Sequence, residues 1–64
     1  MRIEVDKEAD AAFVYFKEIS AGEVAKTISL NKNLNVDLDS KGKLLGIEIL
    51  NASKVIPKEE KIKG

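Results

Sequence analysis

The stretch NVDLDSKGKLLGIEIL, residues 35–50, contains two runs in which apolar and polar residues alternate, one on either side of a turn signal. A two-residue period is typical of strands that present one apolar face. The segment DSKG at 39–42 favours a turn, because Asp and Ser bond to nearby backbone and Gly adopts a left-handed conformation without a Cβ clash. The stretch therefore predicts a β-hairpin. The alternating apolar residues in and next to it are Leu34, Val36, Leu38, Leu45, Ile47 and Ile49.

The register of this hairpin depends on the length of its turn. A four-residue loop would place Val36 opposite Leu45, and Leu34 would then face Ile47, so that the two apolar faces unite. A three-residue loop with a bulge at Gly42 would instead bury polar groups without partners. We therefore predict the four-residue loop, with a positive φ at Gly42.

Length and composition limit how the fold can be stabilised. With 64 residues the chain is at most one domain and hides only about 60% of its unfolded surface. It has no cysteine and no histidine, so neither a disulfide nor a zinc site of the usual ligands reinforces this thin core. Self-association is the remaining ordinary route, and we expect a homo-oligomer.

Charge and hydropathy argue against several classes of partner. Eleven basic and eleven acidic residues cancel and are spread along the chain, so we predict no nucleic-acid partner. No apolar run approaches the roughly 18 residues of a membrane span, and the first residues are charged where a secretion signal is apolar, so we expect no membrane partner and a cytoplasmic location. Abundant Lys and Glu, with no Cys, Gln or Trp, favour a heat-adapted source.

The amino-terminal third contains one clear strand and one ambiguous segment. Ile3 and Val5 alternate with charged residues and predict a short strand. The run AAFVYF at 11–16 fits a strand through its aromatic and β-branched content. It also fits a helix that Asp6 caps and Gly22 ends. The residues alone leave both readings open.

The remainder of the chain predicts a meander and a short helical turn. Residues 24–30, VAKTISL, form a further strand that leads through a tight connection into the hairpin. Asn51 is expected to cap a helical turn that Pro57 ends. We predict one domain over residues 1–57 and a charged, frayed tail over 58–64.

Two stretches, IEVDKEADAAFVYF at 3–16 and VDLDSKGKLLGIEILNAS at 36–53, resemble the small domain-of-unknown-function 2283 family. The resemblance implies that the ambiguous run is a strand. Members usually carry Tyr where this chain has Phe13, so any role of that hydroxyl is absent here. The family has no assigned activity, although some members resemble companions of small toxin-like proteins.

Together these observations predict an α+β, mostly β fold, namely a small antiparallel β-meander sheet with a short C-terminal helical segment. The two faces of this sheet differ. Val14, Phe16, Val36, Leu45, Ile47 and Ile49 share one side. The residues left on the other side are the candidate functional or interface residues, namely Phe13, Tyr15, Leu44, Glu48 and Leu50. For Glu48 a cross-strand lysine such as Lys26 is the alternative partner.

Catalysis and metal binding are poorly provided for. Hydroxyl groups are present, but no histidine can activate them, so we predict no enzyme, no catalytic residue and no cofactor. The loop that begins at Asp37 mimics a calcium loop but has Lys41 at a ligand position. We predict a noncatalytic protein-interaction module, with a small-ligand or cation-binding domain as the alternative. That alternative would use a weak acidic cluster of Asp6, Asp10, Asp37 and Asp39.

Overall fold

The computed structural model describes residues 1–57 as one antiparallel sheet and one short helix. The elements are β1 (Arg2–Asp6), β2 (Ala11–Tyr15), β3 (Lys26–Asn31), β4 (Leu34–Leu38), β5 (Leu44–Leu50) and α1 (Ala52–Val55). The α+β, mostly β fold with its C-terminal helical segment is confirmed, and the ambiguous run is a strand. The predicted tail, 58–64, lies outside the described residues. Within residues 1–57 no helix is long and apolar enough to cross a membrane.

The strand order is β1-β2-β5-β4-β3, and every pair of neighbours is antiparallel. The sheet therefore consists of a hairpin, β1-β2, and a three-strand meander, β3-β4-β5. These two units meet where β5 pairs with β2. The connection over residues 16–25 links them, and β5 lies at the centre of the sheet.

The predicted register of the β4-β5 hairpin is wrong by two residues. Val36 faces Ile47, and Leu34 faces Ile49. The pairing shifts between Asp37 and Leu38, so the β5 strand contains a bulge that the four-residue loop did not include. Because the error is an even number of residues, the apolar side chains still share one face.

The turn of this hairpin is organised by Asp39. Its Oδ1 atom accepts the backbone N–H groups of Lys41 (2.9 Å) and Lys43 (2.8 Å), and its own N–H donates to the Lys43 carbonyl (3.0 Å). Asp39 and Lys43 are therefore paired and three residues, 40–42, form the turn, so that the loop is the three-residue alternative and is one residue shorter than predicted. Gly42 has a φ of 81°, as expected.

Helix α1 is held by a different residue from the one predicted. Asn51 has a φ of 54° and makes no side-chain capping bond to the helix. Asp10, from the β1-β2 turn, accepts the Ser53 N–H (3.0 Å) and the Ser53 hydroxyl (2.7 Å). Asn51 occupies the N-cap position, as predicted, but its side chain does not cap the helix, and its amide donates to the Asn33 side chain instead (2.9 Å).

Strand pairing sorts the side chains onto two faces, as the alternation predicted. We call one side the apolar face, which is formed by Ile3, Val5, Ala12, Val14, Ile28, Leu34, Val36, Leu38, Ile47 and Ile49, with Lys26 and Asn31 on the edge strand β3. We call the other side the mixed face, which is formed by Arg2, Glu4, Asp6, Ala11, Phe13, Tyr15, Thr27, Ser29, Asn35, Asp37, Gly46, Glu48 and Leu50.

The chain buries very little of this surface. Leu45, at 1% exposure, is the one large side chain that is fully buried in the described part of the chain. The other buried apolar residues are Ala11, Ala12 and Ala52. A four-residue helix cannot form a second layer over a five-strand sheet, so both faces remain largely accessible.

Candidate functional site

Four of the five candidate residues predicted from the sequence lie together on the mixed face. Phe13 and Glu48 are directly paired across β2 and β5, and Leu50 follows two residues further along β5. Tyr15 is beside Phe13 on β2. Leu44 does not join them, because the bulge pairs it with Leu38.

The aromatic pair on β2 forms a continuous shelf. The ring centroids of Phe13 and Tyr15 are 6.4 Å apart and the planes are inclined by 13°, as expected for residues two apart on one face of a strand. Both side chains are half-buried. The shelf therefore presents flat aromatic surface next to the polar groups of β1 and β5.

A cation already lies on one end of this shelf. The guanidinium carbon of Arg2 is 4.8 Å from the centroid of the Tyr15 ring, which is cation–π geometry. The same side chain approaches Glu4, with its Nε 3.4 Å from a carboxylate oxygen. The Arg2 guanidinium thus contacts both the Tyr15 ring and the Glu4 carboxylate on the mixed face.

The other ring, Phe13, has a carboxylate on each side. Glu4 pairs with Phe13 from β1, and Glu48 pairs with it from β5. Asn35 on β4 extends the row and donates its amide to one oxygen of Glu48 (2.9 Å). Glu48 is half-buried, and the partner in this contact is Asn35 rather than the predicted lysine.

A shallow depression of about 650 Å³ opens beside Phe13 at the β1-β2 end of the mixed face. Its lining contains three carboxylates, one ammonium group and one aromatic ring. A positively charged group would be attracted to it. The lining residues are Glu4, Val5, Asp6, Lys7, Glu8 and Phe13.

The structure does not bring the predicted weak acidic cluster together. Asp6 accepts the Ala9 N–H (3.1 Å), and Asp10 caps α1 at the same end of the sheet. Asp37 accepts the Thr27 hydroxyl (2.7 Å) at the opposite end of the sheet, where Asp39 builds its turn. Among residues 1–57 no group of three or more acidic side chains is placed to hold a metal ion.

The hydrogen bonds from Ser53 also affect the electrostatics of Asp10. The bond from the Ser53 hydroxyl, followed by that from its backbone N–H, lowers the pKa of the Asp10 carboxyl below its ordinary 3.8. These hydrogen bonds therefore favour the charged form of Asp10. Because this carboxylate is used to cap α1, Asp10 is not part of the candidate site on the mixed face.

Two residues that shape the mixed face were missed by the sequence analysis. A Cβ at Gly46 would lie 2.8 Å from the Val14 carbonyl oxygen, so only glycine fits there. Ile19, from the 16–25 connection, reaches over this position. The second residue that was missed is Arg2. Its position two residues before Glu4 on the same strand could have indicated that it lies on this face. For Gly46, nothing nearby in the sequence indicates a close backbone approach.

The family described as Protein of unknown function (DUF2283) matches residues 2–53 of the chain. This match confirms the resemblance seen in the sequence and includes all of β1 to β5. No curated protein and no solved structure matches the chain.

Proposed function

We propose that this chain, which belongs to the DUF2283 family, is a noncatalytic protein-interaction module whose mixed face takes an arginine-bearing segment of a partner protein. The observation that carries the proposal is the row of Glu4, Phe13 and Glu48, in which an aromatic ring lies between two carboxylates. A guanidinium group is planar and permanently charged, and it both stacks on rings and bonds carboxylates. It is the side chain that suits such a row best.

The contact of Arg2 with Tyr15 supports this choice of group. It places a guanidinium over the neighbouring ring of the same shelf, with Glu4 beside it. The Phe13 ring offers equivalent surface and has a second carboxylate, Glu48. An arginine from a partner would therefore extend an arrangement that the chain itself contains.

The charge of the mixed face favours a basic partner. The face has four carboxylates, Glu4, Asp6, Asp37 and Glu48, against the single guanidinium of Arg2. Opposite charge raises the rate of encounter and selects among partners more than it adds affinity. A segment with several arginines would match this surface better than a neutral or acidic one.

The noncatalytic part of the proposal rests on the available side chains. The chain has no histidine and no cysteine to act as base or thiol nucleophile. The hydroxyls of Thr27 and Ser53 donate hydrogen bonds to aspartates in structural contacts. A toxin-like protein is the partner class that the family resemblance suggests, and the proposal adds that its contact segment is basic.

The test is a titration of the protein with acetylated tetra-arginine amide, followed by backbone amide NMR. We expect shifts at Phe13, Tyr15 and Glu48, weaker binding of tetra-lysine, and no binding of tetra-glutamine. Lysine should bind less well because its ammonium is more strongly hydrated and cannot stack as a plane. Shifts confined to the apolar face would contradict the proposal.

Two variants and one matched control locate the contact. Glu48→Gln and Phe13→Leu should each weaken tetra-arginine binding by about fivefold or more, since each removes one contact worth on the order of 1 kcal/mol. Glu18→Gln makes the same change of net charge beside Tyr15 but outside the Phe13 row, and should have a smaller effect. Equal losses in Glu48→Gln and Glu18→Gln would reduce the interaction to unspecific charge attraction.

A further inference from the structure

We propose that a second copy of this chain covers the apolar face, so that two sheets pack face to face as a two-layer sandwich. This inference is independent of the arginine contact, which uses the opposite side of the sheet. Face-to-face sheets pack about 10 Å apart through their inner side chains. Each copy would supply the layer that the other lacks.

The exposure of the apolar face is the first argument. On the edge strand β1, Ile3 is 61% exposed and Val5 is 64% exposed, and on the opposite edge Ile28 is 36% exposed. The apolar residues of the inner strands, apart from Ala12, are only half-buried. Helix α1 contacts β2 and β5, and in the described part of the chain it does not reach β1 or β3.

Charge identifies a second copy as the occupant. In a two-fold interface the same patch meets itself, so a charged patch would meet its own charge. The apolar face has a single charged side chain, Lys26, which is exposed on the edge strand β3. The mixed face has four carboxylates and one guanidinium, so two mixed faces would repel each other. The mixed face, which contains most of the candidate interface residues expected from the sequence, is therefore less suited to self-association than the apolar face.

The available area fits a dimer. Five strands about 4.8 Å apart and about five residues long give a face of roughly 400 Å², or roughly 800 Å² for two copies. Side chains rise out of this plane, so the accessible area is larger and approaches the ~1,000 Å² of a specific interface. An uncovered patch of this size equals the largest apolar patch of a typical monomer, and such patches are often binding surfaces.

Sedimentation equilibrium between about 1 and 200 µM tests the proposal, since a dimer should appear with a melting temperature that rises with concentration. Ile3→Lys, on the exposed part of the apolar face, should raise the dimer dissociation constant by about tenfold or more, because the change occurs twice in the interface. Its control is Glu4→Lys, the next residue on β1, which points to the mixed face and should leave the dimer intact. Ile28→Lys tests the opposite edge.

Thiol labelling gives a second readout that does not weaken the interface. The chain has no cysteine, so Val5→Cys and Glu4→Cys each introduce a single thiol, on the apolar and mixed faces respectively. Maleimide should label Val5→Cys more slowly as the protein concentration rises, while Glu4→Cys should be labelled at a constant rate. If Ile3→Lys does not fold, as judged by circular dichroism, the labelling pair decides.

Two results would overturn the proposal. One is a single 7.0 kDa species over the whole concentration range, which would leave the apolar face to a different protein. The other is a dimer in which Glu4→Cys, and not Val5→Cys, becomes protected, which would place the interface on the mixed face.

Discussion

The apolar face and the mixed face are formed by the same five strands, yet they differ in side-chain composition and in charge. One has ten aliphatic side chains and a single charge, Lys26 at the β3 edge, while the other combines two aromatic rings with carboxylates and a guanidinium. Neither face is covered by a second layer within residues 1–57, because Leu45 is the single large side chain that is fully buried there. The difference teaches that in so thin a fold the two faces are distinguished by their composition. Burial within one copy does little to distinguish them.

The largest effect is expected at Leu45, the centre of what core the chain has. Leu45→Ala should reduce the free energy of unfolding by about 2–5 kcal/mol, because a buried leucine is lost and a cavity remains. The matched control is Leu44→Ala, since Leu44 is adjacent and 42% exposed and should cost about 1 kcal/mol or less. Urea titrations at low protein concentration measure both. Equal losses of unfolding free energy in the two variants would mean that the buried Leu45 contributes no more to stability than an exposed residue of the same strand.

The next effect is expected at Gly46, where a side chain on β5 would meet the backbone of β2. Gly46→Ala should destabilise the fold by about 1–3 kcal/mol, because the new methyl would lie 2.8 Å from the Val14 carbonyl oxygen and neither strand can yield easily. Ser40→Ala, in the exposed turn, is the control and should change little. A stable Gly46→Ala variant would show that β2 and β5 can separate locally, and the mixed face would then be less rigid than described.

A smaller effect is expected in the turn that aligns β4 with β5. Gly42 has a φ of 81°, where an alanine is strained, so Gly42→Ala should cost about 1 kcal/mol. Lys41→Ala, the preceding residue, keeps the glycine and serves as the control. Thermal unfolding followed by circular dichroism measures the difference. A neutral Gly42→Ala would indicate that the register, and with it the alignment of both faces, does not depend on this turn.

The sequence correctly predicted which face of the sheet each residue of β4 and β5 occupies, but it did not predict the register between these strands. Alternation determines which side each residue of β4 and β5 occupies, so the two faces followed from the pattern even though the register was wrong by two. Neither the bulge near Leu45 nor the three-residue turn, in which Asp39 accepts two backbone N–H groups, is indicated by an alternating pattern. Register is therefore set by turn geometry as much as by hydrophobicity.

The candidate site was predicted in part for the same reason. Phe13, Tyr15, Glu48 and Leu50 follow from alternation along single strands, and they do share a face. The row that gives them a chemical meaning depends on β2 lying beside β5, which are far apart in the chain. Asp10 was read as a member of an acidic cluster, because a cap supplied from a distant turn leaves no local pattern.

Salt should separate the two faces. Between about 0.1 M and about 1 M NaCl the Debye length falls from ~10 Å to ~3 Å, so exposed charges are screened. Tetra-arginine binding to the mixed face should weaken several-fold over this range, as measured by isothermal titration calorimetry. Association through the apolar face should be unchanged or slightly stronger. If both interactions weakened together, the two faces would not be chemically distinct in the way the side chains indicate.

The smallest effect is expected at the ends of the sheet, where two carboxylates are held by hydrogen bonds. The pKa of Asp10 is lowered from its ordinary 3.8 by the Ser53 hydroxyl and N–H, and that of Glu23 is lowered from 4.5 by Lys17 and the Ser20 N–H. A carboxyl whose pKa is depressed on folding stabilises the native state above its unfolded pKa, and this contribution is lost as the pH falls through the folded pKa. Acidification from about pH 5 to about pH 2 should therefore lower the melting temperature.

Asp10→Asn shows whether Asp10 contributes to this loss. The variant should melt below the wild type at pH 7 and approach it at low pH, since protonated Asp10 and asparagine are both uncharged. Glu8→Gln, which changes an exposed carboxyl of the same turn, controls for net charge. A difference between Asp10→Asn and the wild type that stayed constant with pH would mean that Asp10 holds α1 by shape and neutral hydrogen bonds alone. The charge at this end of the sheet would then play no part in positioning the helix beside β2 and β5.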